Sequence, residues 1–259
     1  KSWATVGLFS FSNISIYNDL DFENWDSNPL EEKEVLKSFV QGRKQQDLDL
    51  EDLRKEFLSS KSSVPVLDLG AGSKKVNGKT RPISEVTRYS TSSRKFNQLY
   101  QYFVSLTPAK RVLELGTCMG INTRYLSRIC KGDVFTFEGS EDLLNVAFEK
   151  DQPQNLHAIL GDIALTLPEF LKENTPIDFA LIDANHTYEG TINSYNLISQ
   201  HFQDSSIVAV ADIYWSPEMQ SAWEEIKSRK EVTLSLDFYE CGILIFNYPG
   251  KKSHYVLSY

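Results

Sequence analysis

An apolar run over 111–120, RVLELGTCMG, breaks on a glycine turn, and one helix length later a second apolar run, 134–140, VFTFEGS, ends on an acid, Glu138. That order is the layout of a nucleoside-binding βαβ unit, with the carboxylate placed to accept both ribose hydroxyls. The turn is not the dinucleotide fingerprint. Gly116 and Gly120 are spaced GxxxG, and Glu114 lies two residues before the first of them. A carboxylate at that mouth repels a pyrophosphate and favours a cationic ligand, such as the ammonium and sulfonium of S-adenosylmethionine (SAM).

Around this unit the chain alternates regularly. Strands are expected at 111–115, 133–138, 156–160, 177–182 and 206–211, with helices at 121–130, 141–149, 163–173, 188–202 and 217–229 between and after them. Such alternation implies a parallel, doubly wound α/β sheet. The last two strands, 231–239 and 242–248, are separated only by Glu240 and Cys241, which requires a hairpin and an antiparallel strand. Upstream, helical patterning in 30–41 and 47–59 reads as an N-terminal helical extension, and 84–106 as one amphipathic helix. Residues 64–80 contain DLGAG, but a polar Gly- and Pro-containing stretch follows where a βαβ unit needs a helix. They read as a structured cap loop over the ligand. The division expected is 1–83, extension and loop, and 84–259, the nucleoside-binding domain. The extension would cap the pocket or form a homodimer contact.

In open α/β sheets, ligands sit at the carboxyl ends of the strands. Those ends here carry Glu114, Gly116, Thr117 and Gly120; Glu138, Gly139 and Ser140; Gly161, Asp162 and Ile163; Asp183 to His186; and Asp212 to Trp215. Each alone is compatible with a solvated loop, but five together form a constellation. Gly116 and Gly120 let backbone approach a ligand closely, and Glu138 can bind a diol as a bidentate carboxylate. His186, with an ordinary pKa near neutrality, is the candidate general base, against the plain alternative of a structural loop residue. Tyr188, Tyr214, Trp215 and Trp223 are candidates to wall an aromatic pocket, with Trp223 and Met219 better suited to core. His157, His201 and His254, the last in a polar tail, read as structural, and Cys118 as a small loop residue rather than a nucleophile.

The GxxxG turn and the following acid resemble motif I and the acidic motif of class I SAM-dependent methyltransferases, over about residues 108–248. That resemblance implies a Rossmann-like fold with a mostly parallel seven-stranded sheet and a C-terminal antiparallel hairpin. It implies SAM as cofactor, held by Glu114, Gly116, Thr117, Gly120, Glu138, Gly139, Ser140, Asp162, Ile163 and Asp183. Asp162 would accept from the adenine amino group, with Ile163 against the ring. The segments LIDANHTYEGT (181–191) and ADIYWSPEMQSAWEEIK (211–227) are similar to a group of inferred class I methyltransferases best known from Bacteroidetes. That group has ELGTSLG, IDGNH and DDIHWS motifs and an upstream GAGS element, matched here by Gly70 to Ser73. Related metal-dependent enzymes hold a divalent cation with the acids of strands four and five, here Asp183 and Asp212. This chain has Ala211-Asp212 where the group pairs two acids, and Tyr214 where it has histidine, so Mg²⁺ would have only two carboxylates plus His186 or Asn185.

The resemblance implies methylation, most simply O-methylation, of a small-molecule acceptor, with His186, Asp183 and Asp212 catalytic. A catalytically eroded SAM- or SAH-binding protein of the same fold is the alternative, SAH being the demethylated cofactor. The net charge of −8 counts against nucleic acid as partner despite a loose basic cluster between Lys74 and Lys95. An NPPY-type tetrapeptide for base amines is absent after strand four. Three unevenly spaced cysteines give no disulfide framework and suit a reducing, cytoplasmic setting. No run is long and apolar enough to span a membrane.

Overall fold

The computed structural model describes residues 38–257 apart from 44, 73, 77, 249 and 250. The helix expected over 30–41 falls mostly outside these residues, and its described part, 38–43, is helical. Next come α1 (Leu48–Ser59), a hairpin of β1 (Ser63–Pro65) and β2 (Thr80–Pro82), α2 (Ile83–Tyr89) and α3 (Arg94–Ser105). The alternating part follows as β3 (Arg111–Leu115), α4 (Ile121–Ile129), β4 (Asp133–Glu138), α5 (Glu141–Phe148), β5 (Leu156–Leu160), α6 (Ile163–Leu171), β6 (Ile177–Ile182), α7 (Tyr188–Ser199), β7 (Phe202–Ala211) and α8 (Pro217–Ser228). The chain closes with β8 (Leu234–Asp237), β9 (Cys241–Ile245) and β10 (Ser253–Val256).

These last strands build one sheet in the order β10-β8-β9-β7-β6-β3-β4-β5. β6, IDFALI, is buried at every position, as a strand covered by helices on both faces must be, whereas edge strand β5 is largely exposed. The chain runs outward from β3 through β4 to β5, then returns to β6 on the other side of β3. The order therefore reverses between β3 and β6, and a crevice opens at their carboxyl ends. One face packs under α3 and α4 through Leu99, Phe103, Val112 and Phe179; the other packs under α6, α7 and α8 through Leu113, Ile182, Tyr195 and Trp223. A third cluster joins Leu50, Val64, Ile83 and Val86 to Met119, Ile121 and Tyr125, so the segment before α3 is packed against the βαβ unit.

Three expectations need correcting. The sheet has eight strands rather than seven, because the tail forms β10, parallel to β8, and places His254 at the sheet edge with Nδ1 2.8 Å from Ser235 Oγ. The antiparallel strand, β9, does not finish the sheet: it lies between β7 and β8 and is antiparallel to both. The third concerns 84–106, which forms two helices, not one. Its STSS segment bonds to its own neighbourhood instead of continuing the helix: Thr91 Oγ1 donates to Thr87 O at 2.6 Å, while Arg54 of α1 donates to Thr91 Oγ1 and Ser92 O at 2.8 and 2.9 Å.

The start of β3 is held by a buried carboxylate on the neighbouring strand. Asp178 Oδ2 accepts from the backbone N–H groups of Lys110 and Arg111 at 2.7 and 2.9 Å. Replacing Asp178 with Ala leaves two N–H donors without that partner, and urea unfolding should show a loss of about 2–3 kcal/mol. A loss under about 0.5 kcal/mol would show that this anchor does not hold the central strand.

Candidate active site

The crevice is set by one close approach of backbone. Gly116, with φ +104°, ends β3 where a Cβ would stand 2.2 Å from the carbonyl oxygen of Asp183 at the end of β6. Only glycine permits that contact and that dihedral together. The N–H groups of Gly116 and Thr117 turn to Phe137 O at 3.0 and 3.1 Å, while Asp183 N–H donates to Leu115 O at 3.0 Å. The loop after β3 is thereby held between its neighbours β4 and β6.

A cavity of about 460 Å³ extends from this point. On the β4–β5 side it is lined by Gly116, Glu138, Gly139, Asp162 and Ile163. Glu138 accepts backbone N–H groups of Ser140 and Cys118 at 3.0 and 2.9 Å, one on each carboxylate oxygen. Burial pushes this carboxyl up while those N–H groups pull it down, and burial wins. Each oxygen retains acceptor capacity for a ligand hydroxyl. Asp162 caps α6, Oδ1 accepting Ala164 N–H at 2.9 Å. Cys118 also lines the cavity, but burial and the Glu138 charge hold its thiol far above neutrality, which suits the loop role and not a nucleophile.

On the β6–β7 side stand Asp183, His186 and Asp212, whose ligand-capable atoms all lie within 4.8 Å of one another. His186 Nε2 is 3.9 Å from Asp183 Oδ1 and 3.7 Å from Asp212 Oδ2. Asn185, His186 and Asp212 all have left-handed backbone, φ +65°, +48° and +55°, conformations rarely kept without tertiary restraint. Burial pushes Asp183 well above its ordinary range, helped by the Asp212 charge. Burial also lowers His186, against the pull of Asp212 and Asp68, which favours the neutral imidazole. His186 Nδ1 is buried with no hydrogen-bond partner.

Residues 66–72 form a strap across the mouth. Leu67 N–H donates to Ser140 Oγ at 3.3 Å, Leu69 packs on Gly139, and Ala71 N–H donates to Asn185 O at 2.7 Å. Gly70 lies so close to Asn185 that a Cβ would meet its Cα at 2.6 Å. Asp68 faces the cavity and is paired with Arg81 at 2.8 Å.

Several expected residues are placed elsewhere. Glu114 is not at the mouth: it is 1 % exposed and accepts from Asn122 Nδ2, Thr123 Oγ1 and Thr136 Oγ1, tying α4 and β4 to β3. Thr117 Oγ1 turns away to Thr136 Oγ1 at 2.6 Å, and Gly120 begins α4 against Ala147 and Phe148 of α5. Ser140 serves the strap. Of the four aromatic candidates only Trp215 lines the cavity; Tyr188 bonds Glu225, Tyr214 bonds Asp237 and Trp223 is buried over Gly242. Tyr89, Phe96 and Tyr100 supply the aromatic wall instead, with Asp68 and Glu240 as further carboxylates. The Tyr89, Phe96 and Tyr100 positions follow from the break at 90–93, which brings two helix ends to the cavity. The DLGAG glycines signalled Asp68, whereas nothing in sequence pointed to Glu240, which is brought in when Asp212 N–H bonds its carbonyl at 2.7 Å.

This architecture occurs in solved structures. The O-methyltransferase from Bacillus cereus, solved with SAH, superposes with a TM-score of 0.51 at 18% identity over 60% of this chain and 83% of its own. A candidate caffeoyl-CoA O-methyltransferase from Staphylococcus aureus gives 0.56 at 16% identity over 81% and 97%. The fold is the Rossmann-like methyltransferase fold. Residues 113–213 match the model of a family described as a methyltransferase domain, and this match takes in Gly116, Glu138, Asp162, Asp183, His186 and Asp212. A protein-L-isoaspartate O-methyltransferase from Pyrococcus horikoshii is 34% identical over 82 residues, 30% of this chain; the match spans 36% of that enzyme's length. Among the described residues no helix is long and apolar enough to cross a membrane.

Burial pushes the Glu114 carboxyl up to about 7, against the three donors that pull it down. A carboxyl raised above its ordinary 4.5 adds stability that is complete below that value and is lost as pH rises through about 7. The urea midpoint of the protein should fall between pH 5 and 8, and Glu114→Gln should flatten that dependence. An unchanged slope in the variant would remove Glu114 as its source.

Proposed function

We propose that this protein is a SAM-dependent methyltransferase that O-methylates a small-molecule acceptor. The observation that carries the reading is the single cavity joining a strand-end acid, Glu138, to an acid–histidine cluster, Asp183, His186 and Asp212, across the crevice of a methyltransferase fold. The match of 113–213 to a methyltransferase domain and the SAH bound by the Bacillus cereus neighbour support it. Glu138 accepts the ribose hydroxyls, Gly116 and Gly139 line the cofactor's side of the cavity, and Asp162 with Ile163 take the adenine. Glu114, Thr117, Gly120 and Ser140 act behind these residues, shaping the turns.

Methyl transfer is an in-line displacement. An acceptor oxygen attacks the methyl carbon, the carbon–sulfur bond breaks, and its electron pair stays on sulfur as the sulfonium becomes a neutral thioether. The acceptor proton passes to His186 Nε2, which the lowered pKa leaves unprotonated and which lies 3.7 Å from Asp212 Oδ2, whose charge stabilises the imidazolium. The pocket's main contribution is to hold oxygen and methyl in line and away from water. In place of that proton transfer, Asp183, Asp212 and His186 would hold a divalent ion, each giving one ligand. Such an ion would supply Lewis-acid lowering of the acceptor's pKa.

Isothermal titration of the purified chain with SAM and SAH, and with NAD as control, tests the nucleoside site. Micromolar binding of the sulfur ligands alone supports it; absence of both would sink the reading. Glu138→Ala should weaken SAH more than about tenfold, the value of a charged bidentate contact. His186→Ala should retain SAH affinity and lose turnover. A variant with turnover intact would retire the histidine as base and favour a metal-dependent route or none, and EDTA sensitivity would distinguish those two.

A further inference from the structure

The cavity is charged in a way that the transfer itself does not require. Its walls carry six carboxyl groups, from Asp68, Glu138, Asp162, Asp183, Asp212 and Glu240, against the Arg81 guanidinium, already paired with Asp68, and the ammonium groups of Lys74 over Trp215 and Lys95 near Glu240. The cofactor answers little of this, because ribose and adenine are neutral and only the methionine end carries net positive charge. On the acceptor side Glu240 stands next to Asp212, through the Asp212 N–H to Glu240 carbonyl bond of 2.7 Å. Burial raises the Glu240 carboxyl, against the pull of Lys95, and the Asp212 charge adds to the rise. Tyr89, Phe96, Tyr100 and Trp215 line the same cavity together with the polar Ser90 to Ser93 segment, and the Trp215 ring lies 5.8 Å from that of His186. One of those rings already attracts a cation: Lys74 Nζ lies 4.0 Å over Trp215 and donates to its carbonyl.

Resting on the transferase reading, we propose that the acceptor is an amine-bearing phenol, its ring against the aromatic wall and its ammonium facing Glu240 and Asp212. The phenol oxygen is the atom methylated and gives its proton to His186. An acceptor bearing a carboxylate or phosphate meets like charge at partly desolvated positions and is rejected, because a low effective dielectric strengthens repulsion as much as attraction. The selection acts on the acceptor's charge, so a coenzyme A ester with its phosphates does not fit this cavity.

A charge series on one ring tests this. With EDTA present and the protein saturated with SAH, binding of tyramine, 4-methylphenol and 4-hydroxyphenylacetate is measured by saturation-transfer NMR and titration. SAH binding is recorded first; its failure removes the transferase reading itself. With SAH bound, tyramine is expected to be tightest, at least tenfold over 4-hydroxyphenylacetate, with 4-methylphenol between. Glu240→Gln should shrink that ratio severalfold while SAH affinity stays unchanged, and raising salt should shrink it in the wild type. Any order in which tyramine is not the tightest, or binding by none of the three, overturns the proposal and leaves the nucleoside site standing. A ratio unaltered in Glu240→Gln removes Glu240 as the selecting group and overturns the placement of the ammonium.

Discussion

The site depends on a contact with no room for a side chain. At Gly116 the end of β3 runs so near the carbonyl of Asp183 that a single carbon would collide at 2.2 Å. Because the contact is between the two central strands, where the order of the sheet reverses, it fixes the depth of the crevice and the position of everything that rises from it. Asp183 stands on one side of this contact. Glu138 stands on the other, since Gly116 and Thr117 are bonded to the strand that ends in it. The distance between Glu138 and the Asp183–His186–Asp212 cluster is therefore set by backbone, which is stiffer than any arrangement of side chains.

Burial then gives these groups their chemistry. Desolvation is the largest influence on Glu114, Glu138, Asp183 and His186 alike, raising the acids and lowering the base. At His186 burial favours the neutral imidazole, while the Asp212 and Asp68 charges favour the imidazolium. The folded protein bears the cost of holding several acids out of water, consistent with the site being built by strand ends that the fold cannot easily rearrange.

Much of this was legible in the chain. The βαβ unit, the alternation after 111 and the acids at strand ends are periodic or positional signals, and they follow from strands that must be apolar until they reach the mouth. Glu114 shows where such reading fails: sequence puts it at the mouth, two residues before Gly116, but strand parity points it into the interior toward Thr123 and Thr136. The break at Ser90–Ser93 depends on Arg54, thirty-eight residues from Ser92, and no local pattern reveals that partner. Glu240 enters through a hairpin carbonyl, and the eighth strand exists because β8 offers an edge. Long-range hydrogen bonds, not propensities, decided each of these.

The strap joins two functions that could have been separate. Its residues 66–72 are sewn at one end to the Ser140 turn beside Glu138 and at the other to Asn185, the peptide preceding His186. The left-handed turn that holds the imidazole is therefore bonded to the same segment that is bonded to the turn after Glu138. Two sides of the crevice that the sheet keeps on separate strands are thus tied together by one short segment.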